Sequence, residues 1–252
     1  MTGLVRKATL LAVCGLLTAG VAMAHVPDPA NSECNSPGLA AFGFACPLKA
    51  HIFVVGNRAG VPDPIGQFCV TVRDFNNVPL EQSSVVLDFS DCDVQLCKNQ
   101  LDASVTVDCG SQTVRKLTNA SGVACFRVQG KTRPGRGYPV CTGAAKLCVK
   151  VYADGQLICS ADAPTFDMIT QSLQDGVNGN DISEFTQIWL RPPCDAGIFL
   201  PRINYDCTNQ VINGNDLSQL LKVWLLPTFL GFGGSPANCA GVKDPNLGPK
   251  CP

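Results

Sequence analysis

The chain between residues 51 and 161 alternates between short segments rich in apolar and β-branched residues and turns rich in Gly, Asn, Asp and Pro. Segments of this kind predict strands, and no stretch among them has helical periodicity over the length of a helix. The predicted strands are residues 52–55, 68–72, 84–89, 104–107, 113–117, 123–128, 147–152 and 156–159. This pattern indicates an antiparallel β-sandwich.

A different pattern follows residue 164, where two segments match each other at a constant offset of 35 residues. Residues 177–190 have the sequence VNGNDISEFTQIWL, and residues 212–225 have the sequence INGNDLSQLLKVWL. A match of this length without a gap indicates two copies of one supersecondary unit. Each copy predicts a polar loop that leads into an amphipathic helix, and Pro192 and Pro227 are expected to end the helices.

The two predicted helices each have one apolar face. The residues on these faces are Ile182, Phe185, Ile188 and Trp189 in the first copy, and Leu217, Leu220, Leu221 and Trp224 in the second. Since neither copy has enough core to fold alone, we expect the helices to pack together and to bury both tryptophans. Asn180 or Asp181 is expected to cap the first helix, with Glu184 completing a capping-box pattern.

The first 24 residues have the pattern of a secretory signal peptide. Arg6 and Lys7 precede a short apolar run, and Ala22-Met23-Ala24 follows it. The apolar run is too short to cross a bilayer core of about 30 Å. We therefore expect an exported mature chain that starts at His25, has no membrane span, and is extracellular or held at the cell surface.

The cysteine content supports export. One of the 15 cysteines lies in the predicted signal peptide, which leaves 14, and an even number in an exported chain predicts a disulfide framework. A zinc site is disfavoured because the chain has no CxxC and only two histidines. Cys92–Cys97 and Cys141–Cys148 are candidate local pairs, although spacing alone leaves the connectivity open.

Two segments of the β region resemble bacterial immunoglobulin-like domains of surface proteins. Residues 69–80, CVTVRDFNNVPL, have a strand ending in Asp, a polar turn and a Pro-apolar pair, and residues 118–128, TNASGVACFRV, have a Thr-Asn-Ala-x-Gly turn that leads into a strand. The resemblance covers roughly 110 residues. It implies an immunoglobulin-like sandwich and says little about function, since such sandwiches carry many roles.

The tandem repeat resembles the dockerin family, whose duplicated loop–helix units bind calcium in EF-hand-like loops. Asp181 and Asp216 match the final Asp of each loop. Asn204, Asp206 and Thr208 match the alternating oxygen ligands at the start of the second loop. The resemblance implies calcium as a cofactor, because calcium takes six to eight oxygen ligands from such side chains.

Both loops depart from the dockerin pattern. The second loop, residues 204–216, is one residue too long, and Asn209 stands at its sixth position, where the motif has Gly. The first loop is poor in carboxylates, and Asp175 is the one that is well placed to help. The alternative is that both loops have lost the ion and that Asp181 and Asp216 serve as helix caps, with a disulfide of Cys207 stapling the second loop.

These patterns divide the chain into a signal peptide (1–24), a disulfide-tethered N-terminal segment (25–48), an immunoglobulin-like sandwich (49–163), a dockerin-like tandem repeat (164–230) and a disulfide-tethered C-terminal tail (231–252). The expected fold class is mainly β with a small α part: an immunoglobulin-like antiparallel β-sandwich plus a C-terminal duplicated loop–helix module.

Charge and motifs favour a non-catalytic protein. The net charge is −1 and 15% of residues are charged, which argues against nucleic-acid binding because no basic patch could neutralise phosphates. No nucleophile elbow, phosphate loop or HExxH motif occurs. The hypothesis is an extracellular protein for adhesion, partner docking or self-assembly into a surface structure or filament. The alternative is a glycan-binding accessory of a secreted polysaccharide-degrading system.

Overall fold

The computed structural model describes residues 26–41, 51–54, 57–58, 61–62, 64–92, 94–98, 100, 102–132, 147–166, 179–190, 204–205 and 212–230. The strands are β1 (Glu33–Asn35), β2 (Asn57–Arg58), β3 (Val61–Pro62), β4 (Gln67–Thr71), β5 (Ser84–Asp88), β6 (Val94–Leu96), β7 (Thr106–Asp108), β8 (Thr113–Leu117), β9 (Val123–Arg127), β10 (Gly130–Thr132), β11 (Val149–Ala153) and β12 (Gln156–Ala161). The helices are α1 (Pro37–Ala41), α2 (Gly179–Leu190) and α3 (Gly214–Leu230), with a 3₁₀ turn at Pro64–Gly66. The structure is therefore mainly β with few helices.

Two antiparallel sheets form the body of the molecule. One has the strand order β1-β4-β9 and the other the order β12-β11-β5-β8-β7, while β10-β6 and β2-β3 form small pairs. Burial alternates along the strands because the pleat points successive side chains to opposite faces. Val85 and Leu87 of β5 and Ala124 and Phe126 of β9 are buried in one common core. A core shared between two sheets is consistent with a β-sandwich.

Most of the predicted strands are present. The segment 113–117 forms β8 with its predicted bounds, and six others overlap β4, β5, β7, β9, β11 and β12. The segment predicted at 52–55 instead makes isolated parallel bridges, from His51 to Asp162 and from Val54 to Thr165. The pattern did not predict β1, β6 or β10, since three-residue strands owe their conformation to a partner distant in sequence.

Disulfides join segments that are far apart in the sequence, and the predicted framework is confirmed for these cysteines. The bonds are Cys34–Cys159, Cys69–Cys125 and Cys92–Cys148, and Cys97 and Cys109 are also disulfide-bonded. Such bonds are typical of an oxidising compartment.

Both candidate local pairs, Cys92–Cys97 and Cys141–Cys148, are wrong because Cys92 bonds Cys148. The reason is the register of the sheet. Asp88 of β5 lies opposite Lys150 of β11, and the two cysteines stand just beyond that end of the strand pair.

The two predicted helices are present as α2 and α3, and they contact each other. α2 ends at Leu190, before Pro192, whereas α3 continues through Pro227 to Leu230, so Pro227 does not end its helix as predicted. The φ of proline, about −65°, is compatible with a helix, so an interior proline disfavours the helix by its missing N–H and its crowding of the carbonyl four residues earlier but does not exclude it.

Some predicted parts lie outside the described residues, namely the signal peptide at 1–24 and the C-terminal tail at 231–252. The N-terminal segment is described from residue 26 to residue 41, and Cys34 ties it to β12 through Cys159. Within the described ranges, no helix has the length and apolar character needed to cross a membrane.

Candidate functional site

The start and the end of the second predicted calcium loop lie next to each other. Asn204 and Asp216 are both buried, with 2% and 0% of their surface exposed. Oδ1 of Asp216 accepts the backbone N–H of Tyr205 at 2.7 Å, and Oδ2 accepts the backbone N–H of Asn213 at 2.9 Å. The Asp216 carboxylate therefore ties the 204–205 segment to the first turn of α3.

Asn213 is the residue that caps α3. Its Oδ1 accepts the N–H of Asn215 at 2.6 Å, and its carbonyl accepts the N–H of Leu217 at 3.3 Å. Asp216 is at the third helical position and binds back to the Asn213 amide, which is the second half of a capping box. Asp216 thus supports the cap from within the helix, where its charge also favours the N-terminal end of the dipole.

Only one of the remaining calcium candidates, Asp181, lies within the described residues. Asp181 of α2 has the same position in its repeat as Asp216 and is also fully buried, while Asp175, Asp206 and Thr208 lie outside the described residues. The described ranges hold no group of three or more His, Cys, Asp or Glu side chains arranged for a metal. Each Asp216 oxygen accepts one of the two hydrogen bonds described above, and a carboxylate oxygen is a type of ligand that calcium takes. The chemistry of this residue therefore fits calcium.

Four stacked rings join the helical tail, by which we mean α2, residues 204–205 and α3, to the β-sheets. Tyr205 stacks on Phe166 with centroids 4.8 Å apart, and Phe166 stacks on Phe53 at 5.0 Å. The ring centroid of Phe185 in α2 lies 6.2 Å from the ring centroid of Tyr205. Phe53 and Phe166 belong to two segments that bridge each other, and the second of these directly follows β12, so this ring cluster (Phe53, Phe166, Phe185 and Tyr205) fastens the tail to the sandwich.

Trp189 does not have the buried position predicted for it, because 38% of its surface is exposed. Phe185, one turn earlier on α2, is fully buried in the ring cluster, and Trp189 lies at its rim with a centroid distance of 6.4 Å. The side chain of Trp224 is outside the described side chains. The two helices contact each other as predicted, and α2 also packs Phe185 against Tyr205 of the ring cluster.

The buried histidine, His51, lies beside a carboxylate. Its Nε2 is 3.9 Å from Oδ2 of Asp162, and the two residues are 4% and 3% exposed. The nearby Ser36 hydroxyl donates to the backbone carbonyl of His51 at 2.6 Å. A histidine this buried is poorly placed to exchange protons with a substrate, since a catalytic base must lie within hydrogen-bond reach of the substrate.

A polar cavity of about 360 Å³ opens beside β9, lined by Gln67, Asp102, Lys116, Cys125 and Arg127. Lys116 donates to Oδ2 of Asp102 at 2.9 Å and to the Cys125 carbonyl at 2.8 Å, and Arg127 donates from Nη2 to Oε1 of Gln67 at 2.9 Å. Partial burial raises the pKa of Asp102, but hydrogen bonds from Ser104 and Lys116 outweigh it and hold the pKa below its usual value.

A rigid turn at the edge of the sandwich presents an exposed phenylalanine. Phe75 is 68% exposed, and Val78 and Val26 are 45% and 51% exposed. Asp74 Oδ1 accepts the N–H groups of Asn76 and Val78, both at 2.9 Å, which closes the turn from inside. We call Val26, Phe75 and Val78 the apolar tip.

The N-terminal segment holds this turn from outside. Asn31 Nδ2 donates to the carbonyls of Asp74 and Phe75 at 3.1 and 3.2 Å, and Asp28 donates its N–H to the Arg73 carbonyl at 2.8 Å. The turn is therefore fixed at several points before any partner binds.

Sequence reasoning did not identify the apolar tip, the ring cluster or the cavity. The turn at 74–77 was predicted, but the exposure of Phe75 depends on the packing around it. Comparisons with known proteins add no relative: no protein-family model, no curated protein and no solved structure matches the chain.

Proposed function

We propose that the protein is a non-catalytic exported module that joins an immunoglobulin-like sandwich to a dockerin-like tail and that assembles at the cell surface with further copies of itself. The observation that carries this proposal is the apolar tip. An exposed aromatic on a fixed turn loses little conformational entropy on binding, and aromatic side chains are frequent anchors of protein interfaces.

The charge content supports a second copy as the partner. A net charge of −1 gives little repulsion between copies of the chain, and proteins with a net charge near zero associate more readily. The ring cluster supports the proposal in a second way. It fastens the tail to the sandwich, so each copy can associate as one rigid unit. Docking to a different protein is the alternative, and the experiment must distinguish it from self-assembly.

Sedimentation velocity of the oxidised mature chain over a concentration series tests self-assembly. We expect the average sedimentation coefficient to rise with concentration, and Phe75→Ser to weaken association about tenfold or more. Leu117→Ser is the matched control, since Leu117 is 49% exposed on the outer face of β8. A coefficient that is independent of concentration in the unaltered chain would rule out self-assembly and leave a different protein as the partner.

Calcium is part of the same proposal. The proposed ligands are Asn204, Asp206, Thr208 and Asp216 in the second loop, with Asp175 and Asp181 in the first. The proximity of residues 204 and 216 supports the second loop, because the first and last ligands of such a loop must meet at one ion.

Thermal melts of the oxidised chain with calcium and with chelator test this part. An ion present at 100 times its Kd stabilises the fold by about 2.7 kcal/mol, so the melting temperature should rise with calcium. Asp216→Asn should remove most of this rise, and magnesium should not reproduce it. Equal melting temperatures in calcium and in chelator would show that disulfides and packing hold the tail without an ion.

A second candidate function is that of a polysaccharide-binding accessory in a secreted degradative system. The observation that favours it is the polar cavity beside β9, since planar charged and amide side chains are well suited to hydrogen-bond a ligand. Retention of the protein by an immobilised polysaccharide would support this candidate, and retention that is unchanged by Phe75→Ser would separate it from self-assembly.

A further inference from the structure

We infer that the cavity beside β9 is a binding site for a small ligand with a carboxylate group, held by Arg127 and Lys116. This inference goes beyond self-assembly and uses residues apart from the apolar tip, so each can fail without the other. At about 360 Å³ the cavity is at the small end of the range of ligand pockets, roughly 300–1,000 Å³.

The charges of the lining favour an anion. Lys116 and Arg127 are opposed by one carboxylate, that of Asp102, so one positive charge is left over. Asp102 is already occupied, because its oxygens accept the amide and hydroxyl of Ser104 and the ammonium of Lys116. The lining therefore offers a ligand more donors than acceptors.

Arg127 is the principal free donor of the cavity. Among the described residues, its guanidinium makes one hydrogen bond, from Nη2 to Gln67, and the other N–H groups have no protein acceptor. A guanidinium presents its N–H groups as a planar fork that matches the two oxygens of a carboxylate. The Gln67 contact fixes the plane of this fork in advance.

The edge of β9 adds a backbone donor. Cys69 and Cys125 lie opposite each other with Cα atoms 4.0 Å apart, which is the spacing of a pair that exchanges no backbone hydrogen bonds. The N–H and carbonyl of Cys125 therefore point away from β4, and the carbonyl accepts Lys116 at 2.8 Å. The N–H of the same residue points to the same edge, where the cavity lies.

Lys116 connects the two sheets across this edge. It lies on the same side of β8 as the buried Val114, and it reaches the Cys125 carbonyl on β9 while it binds Asp102. These two bonds hold the ammonium in place with one N–H left for a ligand. The site is thus ordered before binding, which lowers the entropic cost of holding a ligand.

The carboxylate has two chemical sources, an acidic sugar unit of a polysaccharide or a free organic acid. Two-dimensional NMR of the oxidised mature chain, titrated with glucuronate, glucose or acetate, separates them. We expect glucuronate to shift the amide signals of Gln67, Cys125 and Arg127 with a Kd of about 1 mM or tighter. Glucose should leave these signals in place. Equal shifts with acetate assign a free organic acid, and shifts with glucuronate alone assign an acidic sugar.

Two variants and a control make the test specific. Arg127→Gln should weaken glucuronate binding about tenfold or more, since hydrogen bonds to charged groups are the stronger ones. Gln67→Glu should weaken it similarly while keeping Arg127, because the new carboxylate would occupy the guanidinium. Arg115→Gln, on the exposed outer face of β8, should change nothing. The inference is overturned if no carboxylate shifts these signals, if glucose shifts them equally, or if both cavity variants bind as the unaltered chain does.

Discussion

The phenol of Tyr205 donates a 2.7 Å hydrogen bond to the backbone carbonyl of Thr165. The two residues are 40 positions apart, and both are fully buried. Thr165 follows the last strand of the sandwich and pairs with Val54, whereas Tyr205 is held by Asp216 of α3. A polar bond at the centre of the ring cluster therefore links the tail to the sandwich, and it gives the stacked rings a defined orientation.

We predict that the tail and the sandwich unfold in one transition. Both tryptophans of the chain, Trp189 and Trp224, lie in the tail helices, so their fluorescence reports on the tail, while the NMR amide signals of strand residues, followed over the same denaturant series, report on the sandwich. The two denaturant curves should coincide. Separate midpoints would show that the ring cluster does not couple the two parts.

Tyr205→Phe should destabilise the protein by about 1–2 kcal/mol, because it removes the donor to a buried carbonyl and leaves the ring in place. Tyr152→Phe is the matched control, since Tyr152 lies on the partly exposed face of β11. The measurement is the free energy of unfolding in urea for both variants. A loss of the same size in the control would mean that the Thr165 bond contributes nothing specific.

Asp216→Ala should cost about 2–3 kcal/mol in chelator, where no ion contributes. The substitution leaves the buried N–H of Tyr205 and the partly buried N–H of Asn213 without their acceptor, and a buried unpaired group costs about 1–3 kcal/mol before local relaxation. Ser218→Ala, at an exposed position of α3, should change stability by less than about 0.5 kcal/mol. An equal effect of both substitutions would contradict the capping-box geometry.

The sequence predicted the parts of the fold that depend on local pattern. β8 and a helix at each of the two NGND segments follow from periodicity, but α2 begins at Gly179, so Asn180 and Asp181 lie inside the helix and do not cap it as predicted. The pairing of Cys92 with Cys148 and the burial of Phe185 instead of Trp189 depend on how β5, β11 and the tail come together, which no local pattern encodes. The cavity is beyond prediction for the same reason, because Lys116 of β8 and Arg127 of β9 belong to different sheets and come together only when the two sheets pack.

Gly122 shows how turn chemistry fixes the register of β9 against β4. Its φ is +72°, and a Cβ at this position would lie 2.5 Å from the carbonyl oxygen of Val72. That carbonyl accepts a hydrogen bond from Leu80 at 3.0 Å, so it has little freedom to move. The glycine of the Thr-Asn-Ala-x-Gly turn is therefore required both by its backbone angle and by the close approach of a neighbouring strand.

Gly122→Ala should destabilise the sandwich by clearly more than Gly155→Ala. Gly155 has a similar φ of +83°, but open space surrounds its Cβ position. The Gly155 variant should therefore cost only the backbone strain of about 1–2 kcal/mol, and the Gly122 variant should add the clash. Urea unfolding of both variants measures the difference, and equal losses would show that the clash with Val72 is relieved by movement of the strand.

The ion pair of Asp102 and Lys116 predicts a pH dependence with a definite sign. The hydrogen bonds that lower the pKa of Asp102 favour its charged form in the folded state. The resulting stability is present above the unfolded pKa of about 3.9, and it is lost as the pH falls through the lower folded pKa. Because both side chains are partly exposed, at 21% and 25%, we expect a coupling of only about 0.2–1 kcal/mol near neutral pH.

A double-mutant cycle isolates this coupling from other effects of the substitutions. Asp102→Asn, Lys116→Met and the double variant are unfolded in urea near pH 6 and near pH 2, and the interaction free energy is taken at each pH. We expect a positive coupling near pH 6 that decreases toward pH 2, as Asp102 takes up its proton. A coupling that does not change between the two pH values would mean that the interaction does not depend on the charge of Asp102, and a coupling of zero at both would mean that Lys116 is held by the Cys125 carbonyl and by packing alone.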